Sequence, residues 1–146
     1  MDNKAFQFLK DRIGQEVQHS PSPFMNWLKP VMRTVEEGKL EFEYTIRNEM
    51  TNPMGTLHGG ITAAIIDDCI GATLISYGEP WFYTTVNLVI DYFAAAKEND
   101  ILIAESTIIK KGNQIVNAQC NVWNADKSRL IAKGYTNLLK IEPRNK

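Results

Sequence analysis

The run Asn52-Pro53-Met54-Gly55-Thr56-Leu57-His58-Gly59-Gly60, followed by an apolar stretch with Asp67 in its middle, holds residue types that hydrolytic chemistry needs. A helix starting at the paired glycines presents unpaired N–H groups and a partial positive charge. Without side chains at Gly59 and Gly60, a carbonyl oxygen or an anion can approach that backbone closely. Asp67 adds the complementary half, a carboxylate able to draw a proton from water. A lone acid in an apolar helix is more commonly a structural ion-pair or capping partner. Here the residues three and four positions away, Ala63, Ala64, Ile70 and Gly71, are mostly small and leave a furrow beside the carboxylate. Asp68 points about 100° further round the helix, so only one of the two acids faces that furrow. Small neighbours alone do not choose between them, because Asp68 also adjoins Ala64, Gly71 and Ala72.

Geometry adds a condition. Gly59 and Asp67 lie eight residues apart, about 12 Å along a helix axis. A water attacking a carbonyl must sit about 3 Å from its base while the carbonyl oxygen sits about 3 Å from its amide donors. One helix hardly supplies both groups to one reaction centre, so a shared site requires two copies of the chain, with Asp67 of one facing Gly59 of the other. The expectation is a homodimer with two composite sites.

His58, at the helix start, can cap the helix or take part in the chemistry, and its position leaves both open. The only other histidine is His19, and His58 and Asp67 lack the i,i+4 relation of paired ligands on one helix face, so no metal is expected. The Gly-Lys-Ser/Thr ending of a phosphate loop is absent. A carboxylate base with amide donors and no evident strong acid suits a thioester, because a thiolate, with a pKa of about 8.5 for an ordinary thiol, departs without being protonated.

The elements that must position these groups follow from periodicity. Ala5, Phe6, Leu9, Ile13 and Val17 predict an amphipathic helix from about Asn3 to Val17, ended by Pro21-Ser22-Pro23. A first strand is predicted through Leu28 to Val35, and Leu40, Phe42, Tyr44 and Ile46 alternate with polar residues as a strand with one wet face. From Gly59 to Tyr77 the chain is apolar nearly all the way round, the mark of a buried helix, closed by Gly78. Strands are predicted near Phe82 to Phe93, Ile101 to Lys110, Gln114 to Trp123 and Arg129 to Ile141, the last three as an antiparallel meander. The economical packing is α+β: one antiparallel sheet curled around one long buried helix, with an N-terminal amphipathic helix.

At 146 residues and 44% hydrophobic, residues 1–146 fit one domain with a real core. Sixteen basic residues against 17 acidic ones give no basic excess, so nucleic acid is not an expected partner. The absence of an apolar signal core or a bilayer-length apolar run makes a membrane partner unexpected and a soluble, unprocessed chain the reading. Cys69 and Cys120 sit in apolar segments as reduced core thiols, which with the lack of a glycosylation sequon points to the cytoplasm.

Asn52-x-x-Gly55-Thr56-Leu57-His58-Gly59-Gly60, Asp67 nine residues after the histidine, Thr85 on the following strand and Lys110-x-Gly112 in a hairpin together resemble the hotdog-fold acyl-CoA thioesterases of the phenylacetate-pathway and human thioesterase-superfamily-member type. The likeness runs from about Asn48 to Lys140. The resemblance implies Asp67 as general base or nucleophile and the Gly59 amide as the group that polarises the thioester carbonyl. Asn52 would orient the carbonyl or the water, Thr85 would hold the water where relatives often carry serine, and His58 would support the loop. Gly60, Lys110 and Lys111 would contact the substrate, the lysines at the nucleotide of coenzyme A, with Lys133 a weaker candidate. Phe24, Trp27, Trp81, Phe82 and Tyr83 could shape an acyl pocket or simply pack a core. No resident cofactor is implied, since coenzyme A arrives as part of the substrate. Assembly as a homodimer, and beyond it a homotetramer, is implied too. The alternative of another class is a noncatalytic acyl-CoA sensor using the same groove; a hotdog dehydratase fits poorly because His58 lies at the glycine step.

Overall fold

The computed structural model describes residues 2–143. Two short helices, α1 (Lys4–Lys10) and α2 (Pro23–Leu28), precede the hairpin of β1 (Val31–Glu36) and β2 (Lys39–Thr45). A 3-10 turn at Asn48–Met50 and a loop lead into α3 (Gly59–Ile75). Strands β3 (Phe82–Tyr92), β4 (Ile101–Lys111), β5 (Ile115–Asn124) and β6 (Leu130–Ile141) complete the chain. All pairings are antiparallel, in the order β1-β2-β4-β5-β6-β3. After β2 the chain therefore crosses the sheet through α3 and enters at the opposite edge as β3. This is a hotdog arrangement, a sheet curled around one long helix.

The helix is held by apolar burial and a few matched polar groups. Ile65, Ile66, Cys69 and Ile70 are fully buried against Leu40, Phe42, Tyr44, Ala104, Val116, Ala118 and Val122 of the sheet's inner face. Thr73 donates to Ser106 Oγ of β4 at 2.8 Å, and Ser76 Oγ accepts the Gly38 N–H of the β1–β2 turn at 2.8 Å. Burial is one-sided, however. Gly60, Gly71 and Ile75 are exposed and Ala64 and Asp67 half-buried, so a stripe of α3 that the apolar run predicted to be covered stays open. Ile70, expected as a wall of the furrow beside Asp67, instead points into the core.

Two N-terminal expectations are corrected. The helix predicted to reach Val17 ends at Lys10, and Gly14 adopts φ +85°. Beyond it, Gly14 N–H donates to Met32 O, Met32 N–H to Gln15 O and Val17 N–H to Pro30 O. Bonding to the unpaired edge of β1 wins over another helical turn, and it covers the first residues of that edge. The strand predicted from Leu28 begins only at Val31, because Ser22 caps α2 by accepting the Met25 N–H at 3.2 Å, Pro23 occupies its first turn, and Lys29 turns left-handed at φ 55° before Pro30. Ser-Pro is a helix-start signal that an end-of-helix reading overlooks.

Among the described residues no helix is long and apolar enough to cross a membrane. Gly134 of β6 lies directly beneath α3, where a Cβ would stand 2.6 Å from Ile66 Cγ2. Gly134→Ala should therefore destabilise the fold by about 1–3 kcal/mol through overpacking. Urea unfolding checks this, and an unchanged midpoint would mean that Ile66 yields without resistance.

Candidate functional site

The loop into α3 is built by Asn52. Its Oδ1 accepts from the Met54 N–H at 3.0 Å and the Thr56 N–H at 3.1 Å, and its Nδ2 donates to Thr56 Oγ1 at 2.9 Å. The Asn52 amide is thus engaged within its own loop. The loop's exit is pinned on both sides, with Leu57 N–H donating to Ala96 O at 2.8 Å and His58 N–H to Met50 O at 2.9 Å.

His58 is the N-cap of α3: its Nδ1 accepts the Gly60 N–H at 2.8 Å, which leaves the hydrogen of the neutral ring on Nε2. Its carbonyl accepts the Ile61 and Thr62 N–H groups at 3.0 and 3.1 Å. Of the first-turn amides, only the Gly59 N–H is left without an acceptor among the described residues. The glycine at position 60 has a local reason, since a Cβ there would meet the His58 ring at 3.0 Å. Gly59 lies under Tyr92, whose hydroxyl donates to the Gly59 carbonyl at 2.7 Å. Tyr92 was not legible as a site residue; only its place at the end of a strand returning to the helix start hints at it.

Two turns further on, Asp67 accepts a hydrogen bond from Thr85 Oγ1 at 2.7 Å through its Oδ1. Strict alternation back from Leu88 and Ile90, which pack on the core, would turn Thr85 to the outer face of β3. A register shift against β6 between Thr85 and Asn87 makes Val86 an extra residue and brings Thr85, opposite the buried Leu138, to the helix side. The bulge aims the hydroxyl at Asp67, and nothing in local composition signals it.

Asp68 turns the other way, into the protein. Its Oδ2 is buried without a hydrogen-bond partner, as is the hydroxyl of the fully buried Tyr44 on β2. Burial, and then the neighbouring Asp67 carboxylate, push the Asp68 carboxyl up to about 6. Burial, then Cys69 and Asp68, keep the Tyr44 phenol well above its usual range.

Lys110 and Lys111 sit at the other end of α3. Lys111 pairs with Glu79, and its ammonium lies 4.9 Å from the centre of the Tyr77 ring. Lys110 is exposed beside a shallow hollow with Asn113 and Asn117. Within one chain the fold brings Asp67 and Thr85 together, but leaves Gly59 about 12 Å along the helix from Asp67 and the lysines beyond the far end. Lys133 stacks over Tyr135, and Phe24 stacks on Trp27 at 5.8 Å, 41% and 36% exposed. Tyr83 packs on the core and donates to Glu79 at 2.9 Å, Lys140 covers Trp81, and Phe82 is exposed. No cluster of three or more His, Cys, Asp or Glu able to hold a metal ion is assembled among the described residues.

A family model described as the thioesterase superfamily matches residues 54–131, from the loop before α3 into β6. The human protein named acyl-coenzyme A thioesterase 13 is 29% identical over 97 residues, which cover 66% of this chain and 69% of that protein. Its mouse counterpart is 30% identical over 96 residues, with the same coverage. Among solved structures, zebrafish thioesterase superfamily member 2 superposes with a TM-score of 0.75 at 25% identity, over 94% of this chain and 96% of that one. A Streptococcus mutans protein solved bound to acetyl CoA superposes with a TM-score of 0.77 at 21% identity, over 88% of this chain and 98% of that one.

The cap makes a separate prediction. His58→Ala should lower stability by about 1 kcal/mol, and His58→Asn, which can cap from the same position, should restore most of it. Urea midpoints of the three proteins measure this; an alanine variant as stable as wild type would deny the cap any weight.

Proposed function

This chain belongs to the thioesterase superfamily and is a thioester hydrolase by that membership, and from this premise we propose that it cleaves acyl-CoA thioesters with water activated by Asp67. The observation that carries the reading is the Asp67–Thr85 pair on an uncovered stripe of α3, on the same helix as an unengaged Gly59 N–H. Thr85 holds one oxygen of Asp67 and leaves the other to take a proton from water. The hydroxide equivalent attacks the thioester carbon, the carbonyl oxygen takes up the electron pair at the Gly59 N–H, and collapse breaks the C–S bond. The thiolate leaves unprotonated. Asn52 and His58 act at one remove, the first by shaping the loop and the second by capping the helix and occupying Gly60, so that Gly59 is the free donor.

The span from Asp67 to Gly59 calls for a second copy, each chain giving its base to one site and its amide to the other. Support comes from β3, an 11-residue edge strand with Val86, Val89 and Tyr92 more than half exposed. In such a pair the lysines of one chain can reach the partner's helix start, where Lys110 and Lys111 would meet the nucleotide. A homotetramer follows through the outer sheet face, where Tyr135, Leu139, Ile115 and Ile109 are exposed. Coenzyme A as the carrier is supported by the names of the human and mouse relatives and by the ligand of the Streptococcus mutans protein. No resident cofactor is needed, and the buried free thiols Cys69 and Cys120 suit the reducing cytoplasm.

The test is thiol release from a panel of aliphatic and aromatic acyl-CoAs by wild type and Asp67→Asn. The expected loss is about 10²–10⁴-fold with binding retained. A fully active Asp67→Asn would remove the base, and a fully active monomer in sedimentation at assay concentration would remove the composite site.

A further inference from the structure

A hydrogen-bond donor to an oxyanion works only as well as it is aimed, and glycine is the residue whose backbone is hardest to keep aimed. Gly59 and Gly60 stand together in the first turn of α3, where a helix has the fewest bonds of its own. Most of what holds this turn moves with it. His58 Nδ1 takes the Gly60 N–H, and the His58 carbonyl takes the Ile61 and Thr62 N–H groups. Among the described residues one hydrogen bond reaches the paired glycines from another element, the 2.7 Å bond from the Tyr92 hydroxyl of β3 to the Gly59 carbonyl.

Tyr92 offers that bond from a fixed place. It pairs with the wholly buried Ala132 of β6, and the next residue, Phe93, donates its N–H to Ile131 O at 2.9 Å. The phenol lies close against the turn, since a Cβ on Gly59 would stand 3.5 Å from Tyr92 Oη and 3.6 Å from its Cε1 and Cζ. Burial does not force the contact: Tyr92 is more than half exposed, and water could satisfy its hydroxyl. Among the described residues two side-chain hydrogen bonds join β3 to α3, and they end on the two groups of the proposed chemistry, Thr85 on Asp67 and Tyr92 on Gly59.

We propose that Tyr92 is a positioning residue for the Gly59 donor: by tying the Gly59 carbonyl to β3 it fixes the orientation of the first turn, so that the Gly59 N–H meets the thioester oxygen as negative charge develops there. The proposal rests on the assignment of Gly59 as the group that takes that charge. Strand β3 then serves as a common frame, with one hydroxyl setting the base and another setting the amide. In this role Tyr92 gives and takes no proton. Its effect falls on the transition state more than on bound substrate, because the oxygen depends most on its donor when it is charged.

The experiment is steady-state kinetics on the best acyl-CoA of the panel for wild type, Tyr92→Phe, Gly59→Pro and the double variant, with melting and sedimentation of each. Tyr92→Phe removes the hydroxyl and keeps the ring. It should lower kcat about three- to tenfold, a part of the roughly 10²–10³-fold that losing a whole oxyanion donor costs, and leave KM within about twofold. It should melt within about 3 °C of wild type, since one exposed hydrogen bond adds little, and sediment as wild type does. Gly59→Pro deletes the N–H at the first helical position, where proline is tolerated, and His58 before it already has the extended backbone that proline requires, at φ −63° and ψ 134°. In that background the Tyr92 change should cost nothing further, because its effect passes through the missing N–H.

A wild-type kcat in Tyr92→Phe would overturn the proposal, as would a raised KM at unchanged kcat or the same fold loss in both backgrounds. So would a loss accompanied by lower melting or altered sedimentation, which marks a merely structural residue. If Gly59→Pro does not fold, the split between kcat and KM in Tyr92→Phe decides alone. A folded and fully active Gly59→Pro would instead bring down the assignment of Gly59, and this inference with it.

Discussion

The approach of α3 to the sheet governs the rest of the molecule. It is set where Ile66 lies over Gly134, a contact with no room for even one methyl group. Three isoleucines on that side of the helix are wholly buried, each contributing about 1.5–3 kcal/mol relative to exposure, enough together to outweigh one poorly solvated carboxyl. A helix lifted off the sheet would carry Asp67 away from Thr85, whose position is fixed independently by the pairing of β3 with β6. The 2.7 Å bond between them therefore reports on packing at the opposite face of the helix.

Polar groups in this interior fall into two kinds. Thr73, Ser76 and Ser106 satisfy one another or the backbone and tie the C-terminal half of α3 to β4 and to the β1–β2 turn. At its N-terminus His58 takes up the Gly60 N–H and leaves the Gly59 N–H open, and at its middle the Asp68 Oδ2, like the Tyr44 hydroxyl of β2, is buried without a partner. The C-terminal end of the helix is anchored, and the rest keeps unsatisfied polar groups. Chemistry needs that division, because a group already hydrogen-bonded within the protein has little left for a substrate.

Much of this was readable from residue types. The α+β class, the long helix and the last four strands follow from periodicity, and the resemblance put Thr85 and Asp67 in one site but with Thr85 on the water and not on the carboxylate. Other features escaped because their causes are not local. The helix at Pro23–Leu28 was hidden by reading Pro21-Ser22-Pro23 only as a stop, although Ser22 before Pro23 is also a start. The shortening of α1 is decided by the free edge of β1, a partner many residues away. The bulge at Val86 has no compositional signature, yet without it Thr85 faces the wrong side. Which of Asp67 and Asp68 stays open and which turns inward depends on the side of α3 that the sheet covers, and a helix apolar on nearly all sides does not reveal that.

The two edges of the sheet are unlike. Residues 14–17 lie along the start of β1 and bond to Met32 and to Pro30 just before it, while β3 runs its full length with no strand on its outer side. A chain with two bare edges can add copies end to end without limit, the geometry of filaments. With the start of β1 covered in this way, β3 is the longer open edge, and a copy pairing antiparallel along it would use up that edge on both chains. The short segment after α1, which looks like a failed helix, thus makes the two edges unequal and would bias any growth of the sheet toward β3.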